Sequence, residues 1–386
     1  MVGALLACVL VEPASAATPD TSTRATASVN ARRAVASYTA LQDYLALPDG
    51  SELYRQRYPI REGDRAHSYE WPFSQAHVAT LDLTGLPGRK GTRFLPDLAS
   101  RATGQERYWN AAGGRTGLPG YVSQPVFPYG AGGDLFYDDN EWVGLLNIQK
   151  YLMFSDKAAL TRAKDIFALV MSGWDTDATH AAPGGVFWTQ ADWTADRNTV
   201  SNMPAAQLGL RLYQITKDRS YLDWSLRMYN WTNQHLLSPD GLYWDHLNPT
   251  GSVDKNYWSY NQGVPVGVNV LLYQITHDRS YLDRAKRIAD AAYNYYVKQG
   301  RLSTQPPEFN AVFFKNLLLL ESVTKKQTYR DAMNQYASDV WEENRNPYTG
   351  LFEFGDSSGT EAVQQAAMIQ IYAVLGWNHG EHKVLY

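Results

Sequence analysis

The chain has 386 residues, 44% of them hydrophobic and 19% charged, with a net charge of −4. That apolar content supports a large core and excludes a disordered chain, and there is no basic excess to hold nucleic acid or an anionic membrane surface. Aromatic residues reach 13%, with 26 Tyr and 12 Trp, rings that need packing or stacking partners.

Residues 1–17, "MVGALLACVLVEPASAA", are a short apolar run ending in small residues. This is the pattern of a secretory leader cleaved near Ala16 or Ala17, so the protein is expected to be secreted. The basic start of such a leader is missing, which points to a shortened leader or a displaced start. Cys8, the one cysteine, lies inside it. The cleaved protein would then hold neither a disulfide nor a thiolate metal site. No later apolar stretch approaches the ~18 residues of a membrane span.

From there the periodicity predicts twelve helices, near 28–46, 71–83, 92–103, 139–154, 156–172, 201–215, 220–236, 260–275, 280–298, 308–323, 328–343 and 361–376. One junction repeats: "YQITKDRSYLD" at 213–223, "YQITHDRSYLD" at 273–283, and a weaker "ESVTKKQTYRD" at 321–331. Each copy reads as helix, tight turn, helix. Ser220 with Asp223, Ser280 with Asp283, and Thr328 with Asp331 are expected to start the second helix as capping boxes. Breaks after the even-numbered helices are short. Those before them are long and rich in Gly, Trp, Tyr and Asp. The pattern predicts an all-α chain, an (α/α)6 barrel of six helical hairpins in a single domain over residues 30–380. No convincing series of strands is visible.

The long segments would converge on one mouth: "SYEWPFSQ" (68–75), "YDDNEW" (137–142), "FWTQADWTADRNTVSN" (187–202), "YWDHLNPTGSVDKNYWSYNQG" (243–263), "PPEFN" (306–310) and "FEFGDSSGTEAVQQ" (352–365). Aromatic faces stack on sugar C–H faces, and amides and carboxylates satisfy hydroxyls. A phosphate site would call for Lys and Arg instead. A neutral carbohydrate fits the mouth.

Asp138 and Asp139 stand side by side at the start of the fourth helix. One of them alone could be a cap, since an acidic first turn favours the helix dipole. A cap needs only one carboxylate, however, and Glu141 adds a third to the same turn. Neighbours on one turn would hold their carboxyls roughly 5–6 Å apart, nearer the ~5–5.5 Å of a retaining glycosidase than the ~6.5–9.5 Å of an inverting one. Such a pair titrates as a unit, one member ionised and the other protonated. Further candidates for sugar contact are Asn202, Asp254, Trp258, Tyr260, Asn261, Gln262, Trp71, Trp188 and Gln364, with Trp193 and Phe309 beside them. Each could equally be a cap, a turn residue or a packed core ring.

Taken together, "YDDNEW", Ser201–Asn202, "DGLYWD" (240–245) and "WSYNQG" (258–263), followed by "YQITHDRSYLDRAKRIADAA", resemble glycoside hydrolase family 76. The resemblance runs from about residue 30 to near the end. It implies an endo-acting α-1,6-mannanase on an (α/α)6 barrel, working by double displacement, with Asp138 as nucleophile and Asp139 as acid/base. The family includes cell-wall transglycosylases, so the acceptor is water or a sugar. Family members more often carry a small residue at the position of Glu141, which puts the pH optimum in question. The expected partner is α-mannan or another mannose-bearing polysaccharide, acted on by a monomer without cofactor or metal. A non-catalytic sugar-binding barrel is the competing class, and the paired acids argue against it.

Three other patterns carry little. "GDSSG" (355–359) resembles a nucleophile elbow but lacks the α/β sheet beneath it. "DTDATH" starts like a calcium loop at Asp175 but has His180 at the sixth position, where Gly belongs. "NWT" (230–232) spells a glycosylation sequon within a predicted helix.

Overall fold

The computed structural model describes residues 21–355 and 359–386. The expected leader and the centre of "GDSSG" lie outside them. The helices in chain order are α1 (Thr21–Leu45), α2 (Glu70–Thr84), the single turn α3 (Arg89–Thr92), α4 (Leu95–Gln105), α5 (Tyr137–Phe154), α6 (Lys157–Ser172), α7 (Thr199–Thr216), α8 (Arg219–His235), α9 (Ser259–Thr276), α10 (Arg279–Ala292), α11 (Pro307–Thr324), α12 (Thr328–Glu343) and α13 (Ala362–Leu375).

Two kinds of sequence make two rings. α13, "AVQQAAMIQIYAVL", is apolar on most sides and buried along nearly its whole length. α10, "RSYLDRAKRIADAA", buries only the stripe Leu282, Ala285, Ile288, Ala289 and Ala292. A helix apolar all round belongs inside, and a striped one belongs on a surface. Accordingly α2, α5, α7, α9, α11 and α13 pack each on the next, and α13 returns to α2. α1, α4, α6, α8, α10 and α12 clad that inner ring. This is the expected (α/α)6 barrel. Contact within the ring is close: a Cβ at Gly263 of α9 would stand 2.6 Å from the Phe313 Cα of α11.

The short turns differ in detail from the expected capping boxes. The outer helices begin a residue earlier, and the caps are Asp218 and Asp278, which accept from the Ser220 and Ser280 N–H groups. Asp156 does the same for α6, accepting from Ala158 and Ala159. α12 has Gln327 at its cap position, with no side-chain cap bond. The residue that follows four of the six inner helices is left-handed: Ser155, Lys217, His277 and Lys325 have φ between 57° and 64°. A left-handed residue followed by a capping Asp, with Lys326 in that place in the last copy, reverses the chain in two or three residues.

The long loops tie themselves with two-residue antiparallel ladders that alternation could not reveal. β1 (Arg57–Tyr58) pairs with β7 (Thr360–Glu361), joining the first long loop to the last. β2 (Trp109–Asn110) pairs with β3 (Gly120–Tyr121). β4 (Arg197–Asn198), β5 (His246–Leu247) and β6 (Val253–Asp254) form a three-stranded sheet in that order. At the opposite end residues 376–386 fold under the barrel. Leu385 and Tyr386 are buried there, and Arg211 donates to the Lys383 and Leu385 carbonyls. Above them Lys315 and Asp82, both wholly buried, form an ion pair at 2.5 Å.

Candidate active site

The first turn of each inner helix follows one positional rule. The second residue faces the mouth: Trp71, Asp138, Val200, Tyr260, Glu308 and Val363 all line a single cavity of about 830 Å³. In five of the six, the fourth residue is an amide that turns back to hold the preceding loop. Asn140 accepts from the Tyr121 N–H and donates to its carbonyl, both at 2.8 Å. Asn202 does this to Val186, and Gln262 to Tyr243. Gln365 accepts from the Phe352 N–H, and Asn310 donates to the Leu302 carbonyl. Buried backbone groups need such partners.

Seven aromatic rings line the cavity: Tyr69, Trp71, Phe136, Trp142, Trp188, Tyr260 and Phe309. Tyr260 stacks flat on Phe309 with ring centroids 3.9 Å apart. Trp193, on the rim, stands edge-on to Trp188 and donates to Asp134. Among the described residues no Lys or Arg lines the cavity, and His246 is the one imidazole there.

The floor is a cluster of carboxyls. Asp138 and Asp139 are the second and third residues of α5. The cap position is Phe136, with no side-chain cap bond, so neither aspartate is the cap. Asp138 Oδ2 accepts from Trp188 Nε1 at 3.1 Å. Burial pushes the Asp138 carboxyl up to about 7, against the pull of that hydrogen bond, and the Asp245 charge adds to the rise. Asp139 is driven well above the usual carboxylate range, by burial first, then by the charges of Asp138 and Glu70. Glu70, the first residue of α2, is wholly buried. Its Oε1 accepts from Gln105 at 2.6 Å, and burial pushes it up to about 8. Glu141 lies beneath the pair, wholly buried, and is also raised well above its ordinary range. Burial is the main cause, Asp138 adds to it, and only the Ala205 backbone pulls the other way. Charges this close in a dry site cannot all ionise, so protons are held in common.

The sequence candidates divide on placement. Asp138, Asp139, Trp71, Trp188, Tyr260 and Phe309 line the cavity. Asn202 and Gln262 are buried loop clamps with their polar atoms on backbone groups. Gln364 accepts from the Glu361 N–H in a true capping box on α13 and faces a second cavity. Trp258 packs its edge against Phe309, behind the lining. Asn261 donates to Asp245 Oδ1 at 3.0 Å, fixing a carboxylate that does line the cavity. Asp254 accepts from the Asn256 N–H and lies beside Asp245 and His246. These three bring possible metal-ligand atoms within 4.8 Å of one another. Asp245 is already engaged by Asn261 and by the His246 ring at 3.0 Å.

Sequence reading missed Glu70, Asp196, Asn198, Asp245, His246 and Glu308. Glu308 and Glu70 share a signal that the helix starts already carried: an acidic residue in the first turn of an inner helix. Asp245 and His246 sit on β5, a strand too short to show alternation.

Residues 119–339 match the model of glycosyl hydrolase family 76. The mannan endo-1,6-alpha-mannosidase of Candida albicans is 29% identical over 170 residues, covering 42% of this chain and 33% of that protein. The matched stretch thus spans about a third of the length of the curated relatives. Among solved structures, a family 76 mannosidase from Bacteroides thetaiotaomicron superposes with a TM-score of 0.79 at 25% identity, over 90% of this chain and 98% of that one. An inactive variant of an α-1,6-mannanase from Salegentibacter, with two adjacent aspartates changed to asparagine, is bound to α-1,6-mannotriose. It superposes with a TM-score of 0.69 at 20% identity, over 92% of this chain and 99% of that one.

Proposed function

The chain belongs to glycosyl hydrolase family 76, and from that premise we propose that it is a secreted retaining endo-α-1,6-mannanase. The observation that carries the reading is the Asp138–Asp139 pair, the first buried and the second half-buried, on the floor of an aromatic cavity lined by no Lys or Arg among the described residues. The mannan substrate is supported by the name of the Candida relative and by the mannotriose bound to the Salegentibacter enzyme. Secretion is supported by the leader-like residues 1–17.

The roles follow from the two environments. Asp138 has the Trp188 N–H to stabilise its charge, so it is the easier of the two to ionise and acts as nucleophile on the anomeric carbon. Asp139, facing Asp138 and Glu70, keeps its proton and delivers it to the departing glycosidic oxygen. A glycosyl ester to Asp138 results. Asp139, now ionised, takes a proton from the incoming water, and the ester opens with overall retention. A sugar hydroxyl in place of that water makes the same chemistry a transfer.

The test is digestion of linear α-1,6-mannan by wild type, Asp138→Asn and Asp139→Asn, with products sized and the anomer followed by NMR. Expected are short products with α-retention, and a loss of at least about a thousandfold in either variant. Products longer than the substrate assign transfer. An untouched polymer, or a variant of near-full activity, sinks the assignment.

A further inference from the structure

A second cavity of about 670 Å³ lies beside the cleft, within the size range of small-molecule sites. The two share one residue, Glu308, which lines both. Its Oε2 is buried and meets no donor among the described residues. The side cavity is a slot between α12 and the loop that leads into α11. Gln335, Asp339 and Glu343 recur every four residues and so form one polar stripe along the α12 side of the slot. Tyr336 and Phe354 supply aromatic surface in the same slot. Among the described residues no Lys, Arg or His lines it.

That composition selects a ligand class. The absence of cations argues against phosphate or carboxylate ligands, which would meet Asp339 and Glu343 with no compensating charge. Aromatic rings with carboxylates and amides suit a neutral ring bearing many hydroxyls. An α-1,6-linked backbone leaves O2, O3 and O4 of every sugar free to carry a substituent. A backbone threaded through the main cleft would therefore present substituents sideways, past Glu308.

We propose that this slot is a branch-binding site, which holds a neutral sugar side chain of the mannan while the backbone occupies the catalytic cleft. The proposal rests on the reading of the cleft given above. The enzyme then acts on branched mannan without prior removal of the branches, and it discriminates against phosphorylated ones.

Ala332→Trp would fill the slot from α12, and Glu343→Gln would alter its chemistry without changing its shape. Each is compared with wild type on linear and on branched α-1,6-mannan, with melting temperatures taken to confirm folding. Expected is a fall of about tenfold or more in kcat/KM on the branched polymer for Ala332→Trp, with linear mannan cut at the wild-type rate. Glu343→Gln is expected to show the same preference, more weakly. Equal rates of all three proteins on branched mannan, or an equal fall on both polymers, overturn the slot. If wild type leaves linear mannan uncut, the proposed function fails, and the slot is then judged by binding alone. Calorimetry with a branched mannotetraose must show binding to wild type that Ala332→Trp abolishes. No binding, or binding that Ala332→Trp leaves unchanged, overturns it as well.

Discussion

At the scale of single residues, the proposed chemistry depends on keeping two neighbouring carboxyls in different protonation states. Trp188 and Glu70 separate them from opposite sides. The Trp188 N–H lowers Asp138, while the Glu70 charge raises Asp139. In the proposed mechanism activity appears as Asp138 ionises, near its value of about 7, and disappears as Asp139 loses its proton at higher pH. Trp188→Phe removes the donor and keeps a ring, so the acid limb of kcat against pH should move upward. A limb that stays in place, with only KM altered, would make Trp188 a stacking ring and nothing more. Glu70→Gln removes a negative charge, carried above about pH 8, that helps to hold the alkaline limb up. Asp139 should then release its proton more readily, and that limb should move downward. A merely structural role for Glu70 would lower activity evenly across the pH range. Of these residues, the adjacent aspartates stand out in the sequence because two acids crowd one turn. Glu70 does not, because the lone acid of "SYEWPFSQ" carries only the first-turn signal common to ordinary helix starts, and nothing local says that it closes on another helix start far along the chain.

At the scale of elements, the helix starts set what the mouth presents. The second residue of each inner helix faces the cavity, and the fourth faces the loop. Asn202 and Gln262 were candidates for sugar contact because amides in a polar mouth suit hydroxyls. They stand two residues beyond the cavity-facing position, about 200° of helical turn, which points them at backbone instead. Asn202→Ala leaves the buried Val186 N–H and carbonyl unsatisfied, at a cost of about 1–3 kcal/mol. Denaturant unfolding should show that loss, while product lengths from mannan stay as in wild type. A stable variant with a changed product pattern would return Asn202 to the substrate. The helices themselves were legible because their apolar spacing and the repeated junction are local. Their caps were displaced by two residues because Asp and Ser alternate in "DRSYLD", and either can accept an N–H. The two-residue ladders were not legible at all: a pair such as β1 and β7 is set by barrel closure, which brings together loops about 300 residues apart.

At the scale of the whole molecule, the barrel is compensated at its far end and uncompensated beneath its mouth. At the far end the buried Lys315 offsets the buried Asp82, with Gln149 donating to Asp82 and Gln370 accepting from Lys315. At the mouth Glu70, Asp138, Asp139 and Glu141 share no buried cation among the described residues, and all four are raised, mainly by burial. A raised carboxyl binds its proton in the folded chain at a pH where the unfolded chain, titrating near ~4, has released it. Unfolding then releases protons, so stability is full below the unfolded value and declines as pH rises toward the folded ones. Each carboxyl that stays protonated in the fold contributes about 1.4 kcal/mol of this decline per pH unit. Glu141 isolates the effect, because its amide counterpart has the same shape and cannot titrate. Unfolding free energies of wild type at pH 5 and pH 7 should fall with rising pH, and those of Glu141→Gln should fall less steeply, by about one proton's share. Parallel slopes would mean that Glu141 is ionised in the folded barrel, with a compensating partner at the mouth. The slope therefore reports directly whether this chain, carrying a third acid beneath the pair, gives up stability at neutral pH to keep protons beside its two aspartates.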